Sequence, residues 1–401
     1  MKYFIIYTKN DGDEMRCIFY FAILLFLVFN CSSETDVQKL ESEPMLTDVL
    51  TLELSFGDEK TIVKDEFLLA RPDFMVVNDD GDIYVVDENR VKVFNKNGKE
   101  KAIIGRPGQG PGEFEVVCGI TISSTGFLTV IDNRQYLHIF SPNYDFLDKI
   151  NIQFSHILKD FFYERELSSN SPIQKAYSID ATKRIIGYST LKIDDIERIS
   201  EGIVFDCPDT LIEVAYYDVE GRFKLYQRSS EVIVHYKTPF SGEFCWDILP
   251  DNRVVYTDTD IDKSNYPENT YYILHIKSYD TFETTQISYS YVPVETPYTA
   301  KNNNYYPPLQ GLLTDRNFIF AFTYLKNDEG EFLVDLFDAN TCEHISSAYF
   351  PFVPTEMELQ LNQLACKIIK NGYAYKFNDW RKNDEFPKVE KYRIDPAVYG
   401  K

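Results

Sequence analysis

The chain has 401 residues, 44% of them hydrophobic and 15% aromatic, enough to bury a substantial core, which excludes a disordered tail or a disulfide-stapled mini-protein. Lys plus Arg number 41 against 63 Asp plus Glu, and the net charge of -22 repels a phosphate backbone and removes the main electrostatic drive for nucleic-acid binding. With 29 Tyr and 30 Phe against 5 His and 5 Met, the composition favours pleated, half-buried strands over amphipathic helices.

The first feature in chain order is Cys17 to Phe29, CIFYFAILLFLVF, thirteen residues without a charge, preceded by Arg16 and followed by Asn30, Cys31 and the polar run SSETD. It is too short to span a bilayer and shows neither helical nor alternating polarity, so it has no wet face for a packed element. It resembles a bacterial lipoprotein signal, which implies Cys31 as the lipid-attachment residue; Phe29 and Asn30, bulkier than the usual small pair, are similar to signals of the Bacteroidetes group. Asp11, Asp13 and Glu14 stand where a basic leader belongs, so Met15 is the expected start. Residues 1–30 are thus read as signal peptide, 31–46 as a polar tether and 47–401 as one domain. Removing residues 1–30 takes away three basic and three acidic residues and leaves 38 against 60, still -22.

Beyond the tether, Gly81 to Phe94 (GDIYVVDENRVKVF) and Gly126 to Phe140 (GFLTVIDNRQYLHIF) align at an offset of 45, Val85-Val86-Asp87 on Val130-Ile131-Asp132 and Asn89-Arg90 on Asn133-Arg134. Each is a strand, a tight polar turn and a second strand. Degraded copies end at Asp218, Asp280, Asp338 and Asp395, each after apolar alternation, with preceding strands at 183–190, 253–258, 317–322 and 372–377. Gly112-Glu113-Phe114 opens the second unit and Gly242-Glu243-Phe244 the fourth. Six units at 40–50 residue spacing predict an all-β, six-bladed propeller of antiparallel four-stranded blades, with a β-sandwich or a pair of small β domains as the alternative. Leu50 to Phe56, a strand without a partner of its own, is expected to complete the last blade and remove an open edge. Asp194 to Asp209 reads as an acidic, solvated excursion in the third unit.

The string Gly105-Arg106-Pro107-Gly108-Gln109-Gly110-Pro111-Gly112-Glu113-Phe114, with the lead-in Phe67 to Pro72, resembles the six-bladed β-propeller lipoproteins of Bacteroidetes, relatives of NHL-repeat and TolB-like propellers. The resemblance covers about residues 66–150 and implies fold and compartment, but no catalytic residues.

Several patterns suggest chemistry. The Gly-rich string lacks the Lys-Ser/Thr of a phosphate loop and precedes a β meander, so Gly105, Gly108, Gly110, Pro111, Gly112 and Phe114 are read as a fold motif carrying the chain from one blade's outer edge to the next blade's inner strand. That placement makes Glu113, Glu243 and Arg71 candidates for binding at the channel mouth. Asp258, Asp260 and Asp262 alternate like the start of a calcium loop, but position six is Lys263 and position twelve Asn269; an irregular calcium site or a solvated hairpin turn remain. Ser189 to Lys192 has SxxK spacing on a strand, where the lysine does not reach the serine. The five histidines are scattered, without HExxH. Trp380 with Tyr305 and Tyr306 is either a ligand platform or ordinary packing. Cys118, Cys207, Cys245, Cys342 and Cys366, without a CxxC pair, read as free thiols with at most two disulfides.

The sequence therefore predicts a lipid-anchored propeller of the cell envelope, at the outer membrane, in the periplasm or at the surface. It is expected to be a non-catalytic module without a cofactor, binding an envelope protein, peptide or glycan and no nucleic acid. The alternative is a metal-dependent lactonase or lyase using carboxylates, among them Asp87, Asp132, Glu113 and Glu243, gathered on the propeller axis.

Overall fold

The structure is a computed structural model that describes residues 7–8, 45–134, 136–151, 173–194, 196–207, 210–220, 223–228, 233–237, 242, 244–263, 270–278, 281, 283–300, 303–352, 364–378 and 386–401. Within them six antiparallel sheets of four or five strands follow one another along the chain, each with strands in meander order. Blade 1 comprises Pro72–Val77, Ile83–Asp87, Arg90–Phe94 and Glu100–Ile104; blade 2 comprises Val117–Ile122, Leu128–Asp132, Tyr136–Phe140 and Phe146–Asn151. Blade 3 comprises Ile173–Ser178, Arg184–Asp194, Ile196–Cys207 and Thr210–Glu220, with Tyr7–Thr8 paired to its outer strand; blade 4 comprises Phe244–Ile248, Val254–Asp258, Tyr271–Lys277 and Thr284–Ser290. Blade 5 runs through Leu309–Asp315, Phe318–Lys326, Phe332–Asp338 and His344–Phe350. Blade 6 takes Ile368–Lys370, Tyr373–Phe377 and Val389–Ile394 from the end of the chain.

Its outer strand comes from the beginning. Leu50–Phe56 pairs antiparallel with Val389–Ile394, from Leu50 opposite Ile394 to Phe56 opposite Val389, so the expected closure by an N-terminal strand is present. The ladder joins the two ends of the ring through backbone hydrogen bonds and covers an edge that would otherwise expose unpaired N–H and C=O groups.

The core lies between the blades. Six apolar clusters fill six seams, for example Val76, Tyr84, Val86 and Ile104 of blade 1 against Val117, Ile120 and Leu128 of blade 2. Met75, Val77, Ile83 and Val85 face the other way, onto Phe56, Tyr375 and Val389 of blade 6. Successive strand residues point to opposite faces, and both faces of a blade are covered by neighbours. That is why Ile83–Asp87 and Leu128–Asp132 are buried at every position rather than alternately wet and dry.

The third unit differs from its sequence reading. Residues 194–209 are largely strand: Ile196–Cys207 is the third strand of blade 3, paired from Asp206 opposite Arg184 to Ile196 opposite Asp194. The strand ending at Asp218 is therefore the outer strand of blade 3. The hairpin pairs its own backbone along its length, and Glu201, Ile203, Val204 and Phe205 of its second strand are buried. Gly112-Glu113-Phe114 and Gly242-Glu243-Phe244 also differ in position: Phe114 stands three residues before its inner strand, whereas Phe244 begins one.

Candidate functional site

Because the strands alternate in direction, all connections from an outer strand to the next inner strand, and all turns between second and third strands, leave at one end of the ring. This connection end holds the Gly-rich string, which links Ile104 to Val117. Gly105 has φ +72, and a Cβ there would collide with the Phe114 ring, so only glycine lets that ring close over the chain. A Cβ on Gly108 would meet the Glu113 carboxylate. Glu113 folds back into the loop, accepting from Gln109 N at 3.1 Å and Gly110 N at 2.9 Å, and from Arg106 Nε at 2.8 Å. The Gly110 N–H and the Arg106 guanidinium hold its carboxyl below the usual range. The backbone cradle that could have taken a phosphate is occupied by the chain's own carboxylate.

Arg71 is exposed at the same end, where its N–H donates to Asp87 Oδ1 at 2.6 Å. Glu243, Cys31 and Trp380 lie outside the described residues. Tyr306 stacks on Tyr324, centroids 4.4 Å apart, within the seam region of blade 5. Cys118 is exposed and Cys245 and Cys366 are buried, and among the described residues the five cysteines from Cys118 to Cys366 form no disulfide.

The repeated aspartates do not converge. Asp87 accepts from Ala70 N at 3.1 Å and from Lys92 Nζ at 2.6 Å, buried inside blade 1. Asp132 accepts from Arg134 N at 2.9 Å and Tyr136 N at 3.0 Å, with His138 Nε2 3.0 Å away. Asp87 holds the lead-in at Ala70 and Arg71 and the third-strand Lys92, whereas Asp132 closes the turn that follows its own strand. Asp258 does the same for Asp260 N at 3.0 Å and Ile261 N at 3.2 Å. Asp262 accepts from Asp258 N at 2.9 Å and Tyr217 OH at 2.8 Å, and its other oxygen lies 2.9 Å from His275 Nε2. Asp260 pairs with Lys263 at 3.2 Å. The calcium-like spacing is thus a turn in which the three side chains serve different partners, and among the described residues no group of three or more His, Cys, Asp or Glu has metal-holding geometry.

A feature absent from the sequence reading repeats on the third strands. Lys92, His138, Glu201, His275, Asp335 and Lys391 occupy the middle of successive third strands, and each is buried or nearly so. Most are matched within their seam: Lys92 to Asp87, His138 to Asp132, His275 to Asp262, and Asp335 to Ser347 Oγ at 2.6 Å and Tyr272 OH at 3.0 Å. Burial pushes the Asp335 carboxyl up to about 6 despite these two donors.

A second such feature links three inner strands. Asp247 of blade 4 accepts from Lys175 Nζ at 2.8 Å and Tyr177 OH at 2.9 Å of blade 3, and from Thr314 N at 2.9 Å and Thr314 Oγ1 at 3.1 Å of blade 5. The Lys175 ammonium also stands over the rings of Tyr177 and Trp246. Burial and the Asp247 charge together raise the Tyr177 hydroxyl well above its ordinary value. Gly187 makes room for Trp246, since a Cβ there would stand 2.5 Å from the indole. These residues are up to 139 positions apart and share no local pattern.

The exposed apolar side chains are unevenly placed. Among the described residues seven large hydrophobics are exposed, and Val63, Val116, Ile261, Val292 and Phe386 all belong to connections at the connection end; Leu52 and Leu147 sit on outer strands.

The sequence model of DUF5128, described as a 6-bladed beta-propeller, matches residues 62–300. No curated protein matches the chain. Among solved structures, the chain is similar to an exported protein of Bacteroides fragilis, at 14% identity over 89% of this chain and 98% of that one, TM-score 0.49. It is also similar to the Cps50 (Swd1) propeller domain of Myceliophteria thermophila (6% identity, 86% and 99% covered, TM-score 0.37). A third is the Pan2 WD40 domain of Neurospora crassa (7% identity, 88% and 98% covered, TM-score 0.37).

Proposed function

The chain belongs to the DUF5128 family of six-bladed β-propellers, and on that premise we propose that it is a lipid-anchored protein of the cell envelope that binds a protein, peptide or glycan through the connection end of its ring. The observation that carries the binding role is that Val63, Val116, Ile261, Val292 and Phe386, five of the seven large hydrophobics exposed among the described residues, lie on connections at that end. Exposed apolar side chains at one end of the ring are a cost in water that burial by a partner recovers. The compartment is supported by the apolar run ending at Cys31. The reading as a metal-dependent lactonase or lyase has no observation in its favour among the described residues, since Asp87, Asp132 and Glu113 are each committed to separate local partners.

The test compares two forms in envelope extracts. Wild-type protein should retain a partner that the triple variant Val116→Asp, Ile261→Asp, Val292→Asp does not, while both keep the same thermal transition. Equal retention would place binding elsewhere. Mass spectrometry of the membrane fraction should find diacylglycerol on Cys31, and Cys31→Ala should release the protein from the membrane.

A further inference from the structure

We propose that the ring stands edge-on to the membrane, with the rim of blades 5 and 6 proximal and the rim of blades 2 and 3 distal, an inference that rests on the lipid-anchor reading above. The chain does not reach the propeller as a loose end. Leu46 N donates to Ser347 O at 2.9 Å and Leu46 O accepts from Tyr349 N at 2.8 Å, laying the segment along the outer strand of blade 5. Val49 is 4% exposed within the seam of blades 5 and 6, and its carbonyl accepts from Asp395 N at 2.8 Å. Leu50–Phe56 then forms the outer strand of blade 6. The attachment point is therefore the outer rim of two adjacent blades, fixed by backbone bonds and burial, rather than either end of the ring.

Only fourteen residues separate Cys31 from Leu46. Fully extended they reach about 50 Å, and as a coil about 20 Å. Such a tether keeps the attached rim nearest the lipid. In a six-membered ring the opposite rim is that of blades 2 and 3. Blade 3 there carries strands of 11 and 12 residues, Arg184–Asp194 and Ile196–Cys207, against 3 to 9 in the described strands of the other five blades, and the turn joining these two lies at the connection end. In this pose the connection end opens sideways into the aqueous compartment, and its apolar side chains meet a water-borne macromolecule rather than the bilayer.

The experiment places a fluorescent amino acid at Glu343, an exposed turn position of blade 5, or at Asn143, its counterpart in blade 2, and measures energy transfer to an acceptor on lipid headgroups. The protein is examined as purified from membranes and, in parallel, as a chain starting at Cys31 whose N-terminal aminothiol is ligated to a thioester lipid in vesicles. Transfer from position 343 should exceed that from position 143 at least twofold in both preparations. Equal or reversed transfer in the ligated chain overturns the orientation whatever the cell does to Cys31. Asymmetry in the ligated chain together with an unlipidated cellular protein upholds the geometry and overturns the anchor reading instead.

Discussion

Lys175 on the inner strand of blade 3 places its Nζ 2.8 Å from Asp247 Oδ1 on the inner strand of blade 4, and the other oxygen of the same carboxylate takes the N–H and hydroxyl of Thr314 on blade 5. One side chain thus ties three consecutive blades near the axis.

Asp247→Ala should therefore destabilise the protein by about 3 kcal/mol, because removing one member of a largely buried network leaves its partners without an acceptor. Lys175 keeps 30% of its side chain exposed and recovers part of its solvation, which holds the loss at the lower end of the range for buried pairs. Equilibrium urea unfolding measures it. A loss below about 1 kcal/mol would mean that water replaces the carboxylate and that the three blades do not depend on it.

Asp335 gives a pH dependence of opposite sign to most carboxylates. Its folded-state value of about 6 lies above the unfolded one, with burial as the main cause, so folding favours the protonated form. Stability from this group is fully present below pH 4 and is lost as pH rises through about 6. Asp335→Asn keeps the shape and an acceptor but removes the titration. The variant should gain on wild type as pH goes from 4 to 7.5, by about 2 to 3 kcal/mol, read as the difference between the two melting curves. Asp132, whose carboxyl is lowered by His138 and two backbone N–H groups against the opposing effect of burial, supplies the control: its contribution is present above pH 4 and lost on acidification.

Gly105→Ala should cost at least about 2 kcal/mol. The residue sits at φ +72, unfavourable for alanine by about 1 kcal/mol, and the added methyl collides with the buried Phe114 ring. Gly330, also at positive φ but with open space around it, is the comparison: Gly330→Ala should lose only the conformational part. Equal losses at the two sites, by thermal melting, would show that the packing of Phe114 over Gly105 contributes nothing.

Much of the ring was legible along the chain. Gly81 to Phe94 and Gly126 to Phe140 carry the strand, turn and strand of blades 1 and 2 almost residue for residue, since Val85, Val86, Val130 and Ile131 fill seams that recur with each blade. Blade 3 differs from its sequence pattern by one strand. Its third strand ends Val204-Phe205-Asp206, matching the repeated ending, but Asp194, Glu197 and Glu201 masked it as a solvated run, while Tyr216-Tyr217-Asp218 on the outer strand offered a similar ending. The Gly-rich string links Ile104 to Val117, and the partners of Glu113 within it have no sequence signature, because a carboxylate that folds back onto backbone N–H groups looks the same in sequence as one that faces a ligand.

By itself the sequence determined the number of blades, the closing strand and the acidic, aromatic character of the body, because each strand pair repeats a local hydrophobic pattern that its own neighbours complete. Only the tertiary structure decided which polar groups meet. Asp87 and Asp132, alike in sequence, take Lys92 and His138; Asp247, with no repeat to mark it, gathers Lys175, Tyr177 and Thr314. Apolar burial is non-directional and is written in composition and period. A buried charge needs specific donors at hydrogen-bond distance, and those arrive from strands far apart in the chain once the ring has closed.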